Sequence, residues 1–171
     1  MSFDGAGLSN LKTLYLNDNN LTLFNGAGLS NLINLYLYDT SSYDTHDNKL
    51  TSFNGSLFPN LQTLDIRGNQ LSSFDGSQLG DLVSLDIQGN KLTSFSGTGL
   101  ASLQNLYVND NQINSFTNED QLPNVWYVSI SNNKLTSTPP AVSNWLNQYA
   151  ESDWSQTQSN TTTPSGTTGT T

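Results

Sequence analysis

The stretch that decides the fold runs from residue 11 to residue 29 and reads LKTLYLNDNNLTLFNGAGL. Leucine occupies its first, fourth and sixth positions, asparagine occupies the ninth, and leucine, phenylalanine, glycine and leucine follow at positions 11, 14, 16 and 19. The leucine-x-leucine step has a period of two, so both side chains point to the same face of a short strand. The stretch therefore predicts a strand that buries one face and ends near the asparagine.

This pattern occurs six times along the chain. The units start at residues 11, 32, 61, 82, 103 and 125, which gives spacings of 21 or 22 residues apart from one of 29. A single unit buries too little apolar surface to offset the entropy lost on ordering it, so neighbouring units must stack into a solenoid. Residues 3–11 match residues 24–32 almost residue for residue, so we expect the chain to begin in mid-unit, as part of a longer array.

The units resemble the leucine-rich-repeat family, whose signature L-x-x-L-x-L-x-x-N-x-L is matched six times between residues 3 and 138. They look most like the short, internalin-like repeats of bacterial surface proteins, with Phe-x-Gly in place of a second aliphatic pair. The resemblance implies an α/β solenoid, in which a right-handed coil has a parallel β-sheet on its concave face and a mostly irregular convex side.

Three further positions of the unit predict internal contacts. The asparagine lies where the chain leaves the strand, and its amide can both donate and accept, so stacked copies are expected to form a ladder. Five of the six units carry phenylalanine three residues after the leucine or isoleucine that follows the ladder, and these rings are expected to stack as a spine on the far side of the coil. The glycines that follow are expected to permit a tight turn back; they are Gly26, Gly55, Gly76 and Gly97.

The second unit carries an eight-residue insertion within residues 38–47. We expect this segment to project as a loop from one rim of the solenoid. It is either a tolerated extension, since loops lengthen at little cost, or a recognition loop whose candidate contact residues are Tyr43, Asp44 and His46. His46 is the single histidine of the chain and has aspartates nearby, so a metal or pH role is the alternative considered for it.

The repeat pattern ends near residue 138, where two prolines follow. Beyond them, apolar residues at helical spacing predict a short helix that caps the open end, with Trp154 beside it; they are Val142, Trp145, Leu146 and Tyr149. The last segment consists of Ser, Thr, Gln, Asn, Gly and Pro, which is typical of a linker or an O-glycosylated stalk. The predicted organisation is a solenoid at 1–138, a cap at 139–154 and a linker at 155–171.

The composition narrows the class of partner and the location. A net charge of −9 with only five Lys and Arg argues against nucleic acid and against anionic membranes. No run of 18 apolar residues is present, so we expect no membrane insertion. The absence of cysteine excludes thiolate metal sites, and we expect neither metal nor cofactor. The tail favours an extracellular or cell-surface location, in which the candidate glycosylation residues are Asn20, Asn54, Asn160, Thr161, Thr162 and Thr163.

The predicted concave sheet offers the candidate ligand-binding surface. Residues between the inward leucines face outward there, and their central column contains three tyrosines and two aspartates. Tyrosine provides rigid contact area and a hydroxyl group, which suits a protein or carbohydrate ligand; alternatively, exposed strands simply favour tyrosine and threonine. The candidate residues of this face are Tyr15, Tyr36, Tyr38, Asp65, Arg67, Asp86, Tyr107 and Tyr127.

Asp65 and Asp86 form the one pair that we considered for catalysis. Adjacent strands would place them about 5 Å apart, near the spacing of a retaining glycosidase. A shallow sheet excludes no water, however, and Arg67 can balance their charge. We therefore expect no catalytic residues and a protein that is not an enzyme.

Two functions remain open. The first is a non-catalytic extracellular module that binds a protein or glycan on its concave face, together with the insertion loop. The alternative is a structural subunit of a surface fibre or layer, glycosylated and assembled end to end through the open N-terminal end or through the tail.

Overall fold

The computed structural model describes residues 1–39 and 48–158 of the 171-residue chain. Each leucine-x-leucine step forms a three-residue strand, and further short strands lie on the opposite side of the coil. The strands are β1 (Ser2–Asp4), β2 (Thr13–Tyr15), β3 (Leu23–Asn25), β4 (Asn34–Tyr36), β5 (Thr63–Asp65), β6 (Ser84–Asp86), β7 (Ser94–Ser96), β8 (Asn105–Tyr107), β9 (Ser115–Thr117) and β10 (Tyr127–Ser129). The α-helix is α1 (Pro140–Tyr149), and 3-10 turns lie at Gly55–Leu57 and Glu119–Gln121.

The described strands form one six-stranded parallel sheet in the order β2-β4-β5-β6-β8-β10, which is the order of the units along the chain. Two smaller parallel pairs, β1 with β3 and β7 with β9, lie on the phenylalanine side of the coil. The predicted fold is confirmed: stacked units share a parallel sheet, the other side is largely irregular, and one helix stands at the C-terminal end.

The core is the column of inward side chains between the two sides of the coil. The middle leucine of β4, β5, β6 and β8 is at most 1% exposed, and so is the valine at this position in β10. Leu14, its counterpart in β2, is half-buried because it lies in the first full unit. Burial therefore depends on a neighbouring unit, as expected for a solenoid.

The predicted asparagine ladder is present and links each unit to the one before it. In the unit of Asn90, the side-chain oxygen accepts a bond from the backbone N–H of Leu71 at 2.9 Å. The amide nitrogen donates to the carbonyl oxygens of Ile66 and Ile87 at 3.1 and 3.0 Å. The other buried members make the same kinds of contact; they are Asn48, Asn69, Asn111 and Asn133.

The predicted phenylalanine spine is also present, with one member that the sequence analysis missed. Phe58 is 1% exposed and lies between two spine rings, 6.1 Å from that of Phe24 and 5.3 Å from that of Phe53. It occupies the position that leucine takes in the neighbouring units. At the C-terminal end, Trp145 of α1 continues the spine, 5.4 Å from the ring of Phe116.

The role predicted for the four glycines was wrong. None of them has a left-handed backbone, so a tight turn does not require them. Their missing side chains instead leave room for the next unit. A Cβ added at Gly26 would lie 2.1 Å from Cζ of Phe58, and one at Gly97 would lie 2.3 Å from the carbonyl oxygen of Asn118. Glycine is needed at these positions for close approach between units.

The C-terminal segment closes the solenoid by imitating a further unit. Ala150 pairs with Val128 as a parallel β-bridge, and the Glu151 carboxylate accepts bonds from the backbone N–H groups of Ile130 and Ser131. The Gln158 side chain then takes the place of a ladder asparagine. It accepts a bond from the Leu135 N–H at 3.1 Å and donates to the Ile130 carbonyl oxygen at 3.1 Å.

These contacts extend the cap along the chain. Trp154 is 6% exposed, and its indole N–H donates to the side chain of Asn147. Bonds to the solenoid continue as far as Gln158, so we propose a cap of residues 139–158, four residues longer than predicted. Within the described ranges, no helix is long and apolar enough to cross a membrane.

Candidate functional site

The outward residues of the six-stranded sheet lie in register, so that each position of the unit forms a column across the strands. The third residues of the strands form the central column, because each pairs with the next. In order, the central column contains Tyr15, Tyr36, Asp65, Asp86, Tyr107 and Ser129. In this column tyrosines therefore occupy the first two strands and the fifth, carboxylates occupy the third and fourth, and serine occupies the last.

Tyr15 and Tyr36 form the aromatic pair at the N-terminal end. Their rings are stacked with centroids 4.5 Å apart and planes inclined by 3°, and Tyr15 is 64% exposed. Burial, chiefly, and the neighbouring Tyr15 raise the pKa of the Tyr36 phenol, so its hydroxyl remains protonated and can donate. The pair presents a rigid surface with hydrogen-bonding groups at its edge.

The middle of the face is an ion network around one arginine. The Arg67 guanidinium lies 3.3 Å from an Asp86 carboxylate oxygen and 3.7 Å from an Asp65 carboxylate oxygen. The Cζ atom of this guanidinium also lies 4.7 Å from the ring centroid of Tyr38, which is a cation–π contact. The two aspartate side chains are 14% and 15% exposed, whereas the arginine side chain is 40% exposed. The structure thus brings together four residues that the sequence had assigned to this face.

The two carboxyl groups have raised pKa values. Burial, followed by the charge of Asp86, raises the pKa of Asp65 to about 6, although Arg67 opposes this rise. Burial also raises the pKa of Asp86, against bonds from the Gln88 N–H and from Arg67. The folded protein consequently binds more protons than the unfolded chain between about pH 6 and pH 4.

This difference predicts that stability rises as the pH falls from 7.5 to 5. Over this range the gain through Asp65 is about 1.4 kcal/mol, because pH 5 lies about one unit below its pKa of about 6 and one unit corresponds to about 1.4 kcal/mol. Thermal unfolding at pH 7.5 and at pH 5 measures this change in stability. The Asp65→Asn/Asp86→Asn variant should show a clearly flatter dependence, whereas the charge-matched Asp75→Asn/Asp81→Asn variant should keep it. Equal slopes in all three proteins would contradict the assignment.

A second aromatic group lies at the C-terminal end of the face. The rings of Tyr107 and Tyr127 are 5.5 Å apart, and Trp126 lies 6.3 Å from Tyr127 and is 64% exposed. Trp126, which directly precedes β10, was not among the predicted residues of this face. The available signal was that the other units carry Lys, Ile, Gln or Val at this position and no aromatic residue.

A shallow depression of about 360 Å³ lies at the edge where the strands end, beside the ion network. It is lined by Asp39, Arg67, Gly68, Gln88 and Gly89. The two glycines create the space, because they hold the position in the unit at which Asp39 carries a side chain. The depression is open and polar, so it would leave most of a small-molecule ligand exposed to water, whereas a protruding side chain of a partner could enter it.

The remaining predicted residues lie outside this face. The insertion candidates Tyr43, Asp44 and His46 fall outside the described residues, as do Asn160 and the three threonines after it. Asn54 is exposed, with its side-chain oxygen accepting bonds from Ser56. Asn20 is half-buried. Among the residues that the structure describes, no group of three or more His, Cys, Asp or Glu side chains is placed to hold a metal ion.

Comparison with known proteins places the repeats in one family. A family model described as Leucine rich repeat matches residues 59–113, and a second model with this description matches residues 10–35. No curated protein sequence matches the chain significantly.

Three solved structures share the fold, and alignments with them cover most of this chain. A leucine-rich-repeat protein of Leptospira interrogans is 23% identical with a TM-score of 0.62, and the alignment covers 87% of this chain and 46% of that one. Human trophoblast glycoprotein is 20% identical with a TM-score of 0.60, and the alignment covers 89% of this chain and 66% of that one. The functional domain of InlJ from Listeria monocytogenes, which includes a cysteine ladder, is 21% identical with a TM-score of 0.52. That alignment covers 86% of this chain and 40% of the other.

The chain spans less than two thirds of each of these structures, and at this identity the likeness concerns the fold. The family matches agree with the registered units, the asparagine ladder and the parallel sheet. The chain therefore carries sequence matches to leucine-rich repeats at residues 10–35 and 59–113, and its fold is that of a leucine-rich-repeat coil with a capping helix.

Proposed function

We propose that this chain is a non-catalytic module that binds another protein across its concave face, outside the cell or at the cell surface. The observation that carries the proposal is the pair of aromatic groups at the two ends of the sheet, Tyr15 with Tyr36 and Tyr107 with Tyr127 and Trp126. Each group has one exposed ring, that of Tyr15 or that of Trp126, beside half-buried ones. Exposed tyrosine and tryptophan are the side chains that most often dominate protein interfaces. Leucine-rich repeats are generally non-enzymatic scaffolds that bind proteins, which supports this function.

The arrangement of the face suits binding better than chemistry. Asp65 and Asp86 are bridged by the guanidinium of Arg67, and no walls enclose them, so a reacting bond would not be shielded from water. The aromatic groups, in contrast, are held by a rigid sheet, so little conformational entropy is lost when a partner covers them. The surface location is supported by the Thr- and Ser-rich composition of residues 155–171. Glycan binding, glycosylation and end-to-end assembly stay predictions of the sequence.

Selection from a phage-displayed library of random 12-residue peptides on the immobilised chain tests the proposal. We expect the wild type to enrich a peptide family that is not enriched by Tyr15→Ala/Tyr36→Ala/Tyr107→Ala. The control is Thr51→Ala/Ser72→Ala/Thr93→Ala, which changes exposed residues outside the concave sheet and should enrich the same family as the wild type. Enrichment of no family by the wild type, or of the same family by the tyrosine variant, would show that the proposal is wrong.

A further inference from the structure

The charges on and beside the concave face are strongly unequal. In the parts of the chain that the structure describes, five aspartates and one cation occupy this surface, which we call the acidic strip: Asp18, Asp39, Asp65, Asp86, Asp110 and Arg67. Asp65 and Asp86 lie in the central column, and the other three carboxylates follow strands at one edge of the sheet. The lysines of the chain lie at other positions of the unit: Lys12 directly precedes β2, at the position that Trp126 holds before β10, and the other three directly follow a ladder asparagine.

The one cation of the acidic strip is not available to an anionic partner. The Arg67 guanidinium contacts two carboxylates and the face of one tyrosine ring, and the three ionised groups together carry a charge of −1. At the edge, Asp110 accepts bonds from the side chains of Asn109 and Asn132, which leave its charge unbalanced. An acidic partner would therefore meet repulsion on this surface, and the net charge of −9 adds to it at long range.

The contacts of Arg67 also show how this surface holds a cationic side chain. A guanidinium fits between carboxylates of adjacent strands while a tyrosine ring covers it. Similar components lie beside it: the depression at Gly68 and Gly89 has Asp39 in its lining, and Tyr36 is the register partner of Asp65 on the neighbouring strand. An incoming lysine or arginine would meet negative charge and aromatic surface together.

The spacing of the aromatic groups sets the length of the partner segment. Four strand steps separate Tyr15 from Tyr107, which corresponds to about 19 Å at the usual distance of about 4.8 Å between strands. An extended chain advances about 3.3 Å per residue, so about six residues span this distance. The ends of such a segment would cover the aromatic groups, and its middle would lie over the carboxylates.

Resting on the proposed function, we infer that the partner presents a basic segment, an extended stretch of about six residues with apolar side chains at its ends and lysine or arginine at its centre. The acidic strip selects the basic residues, and the two aromatic groups provide the contact area. This assigns a class of protein partner to the face and excludes acidic peptides.

The peptide most enriched by the wild type in the library selection serves as the probe. We expect it to contain central lysine or arginine residues, and its synthetic version should bind at least about tenfold tighter than one with these residues replaced by glutamine. Asp65→Asn/Asp86→Asn should lower the affinity for the basic peptide at least about tenfold. The control Asp75→Asn/Asp81→Asn removes two exposed carboxylates away from the sheet, and should lower it no more than about twofold.

Each result bears on one proposal or the other. A selected peptide without basic residues, or one that binds equally well with glutamine in their place, would overturn the inference. So would an equal loss of affinity in the two aspartate variants, because it would reflect net charge and not the acidic strip. In these cases the concave binding face stands if the tyrosine variant still fails to bind. Circular dichroism of each variant establishes that it is folded before binding is measured.

Discussion

Replacing Asn90 by alanine is expected to lower the free energy of unfolding by about 4 kcal/mol. The substitution leaves the buried N–H of Leu71 without a partner, because Asn90 is 7% exposed and its side-chain oxygen accepts that bond. It also removes one of two ladder bonds from the carbonyl oxygens of Ile66 and Ile87, which keep the bonds from Asn69 and Asn111. The buried N–H that loses its partner costs about 1–3 kcal/mol, and each of the two lost bonds to carbonyl oxygens adds about 1 kcal/mol. Urea unfolding followed by circular dichroism measures the loss.

Asn19 provides the matched control for this prediction. It occupies the same position in the first full unit but is exposed, and its amide donates to the carbonyl oxygen of Asn17 in its own unit. Asn19→Ala should therefore cost less than about 1 kcal/mol. Similar losses in the two variants would mean that the ladder stabilises the protein through the turn alone and not through contacts between units.

Phe58→Ala is expected to be about as damaging, at roughly 3–5 kcal/mol. The ring is almost fully buried between Phe24 and Phe53, and its tip fills the space above the bare α-carbon of Gly26. Deleting a buried phenylalanine ring removes its transfer free energy and leaves a cavity that the stacked backbone cannot close. The measurement is again the free energy of unfolding in urea.

Two further variants serve as controls for the loss expected in Phe58→Ala. Phe3→Ala removes a half-buried ring that stacks on that of Phe24 with centroids 5.5 Å apart, and should cost about 1–2 kcal/mol. Phe58→Leu restores the residue type of the neighbouring units and should cost less than Phe58→Ala. If Phe58→Ala lowered the free energy of unfolding no more than Phe3→Ala, the burial of the Phe58 ring between two spine rings would not contribute to stability as we expect.

Most of the architecture could be predicted from the sequence, because a repeat fixes what each position does in all copies. The leucine-x-leucine step gave the strands, and its six copies gave the order of the sheet and the register of the columns. The same logic predicted the amide ladder and the stacked rings. These features follow from local periodicity and from the identity of one unit to the next.

Contacts between specific neighbours were harder to predict. Phe58 falls at a leucine position, and its place between two spine rings depends on the space left by a glycine one unit away. For the same reason the glycines were misinterpreted: their role concerns the approach of another unit, which a local reading of backbone freedom does not reveal. Both errors arise where a side chain of one unit decides the residue needed in another.

The C-terminal cap and the concave face were the parts least predictable from the repeat pattern. Glu151 and Gln158 lie outside the repeats, yet they satisfy the backbone groups that a further unit would have bonded. Nothing in their spacing indicates this role. On the face, the tyrosine column was predicted, but Trp126 was not, because it lies at a position that other units fill with aliphatic or polar residues.

The central claim is that the concave tyrosines form a binding surface, and the dissociation constant of a selected peptide tests it most directly. Isothermal titration compares its binding to the wild type, to Tyr15→Ala/Tyr36→Ala/Tyr107→Ala and to Thr51→Ala/Ser72→Ala/Thr93→Ala. We predict that the tyrosine variant binds at least about thirtyfold more weakly, since truncating a dominant interface residue costs about 2 kcal/mol or more, and that the control is unchanged. Unchanged affinity in the tyrosine variant, or an equal loss in the control, would contradict the claim.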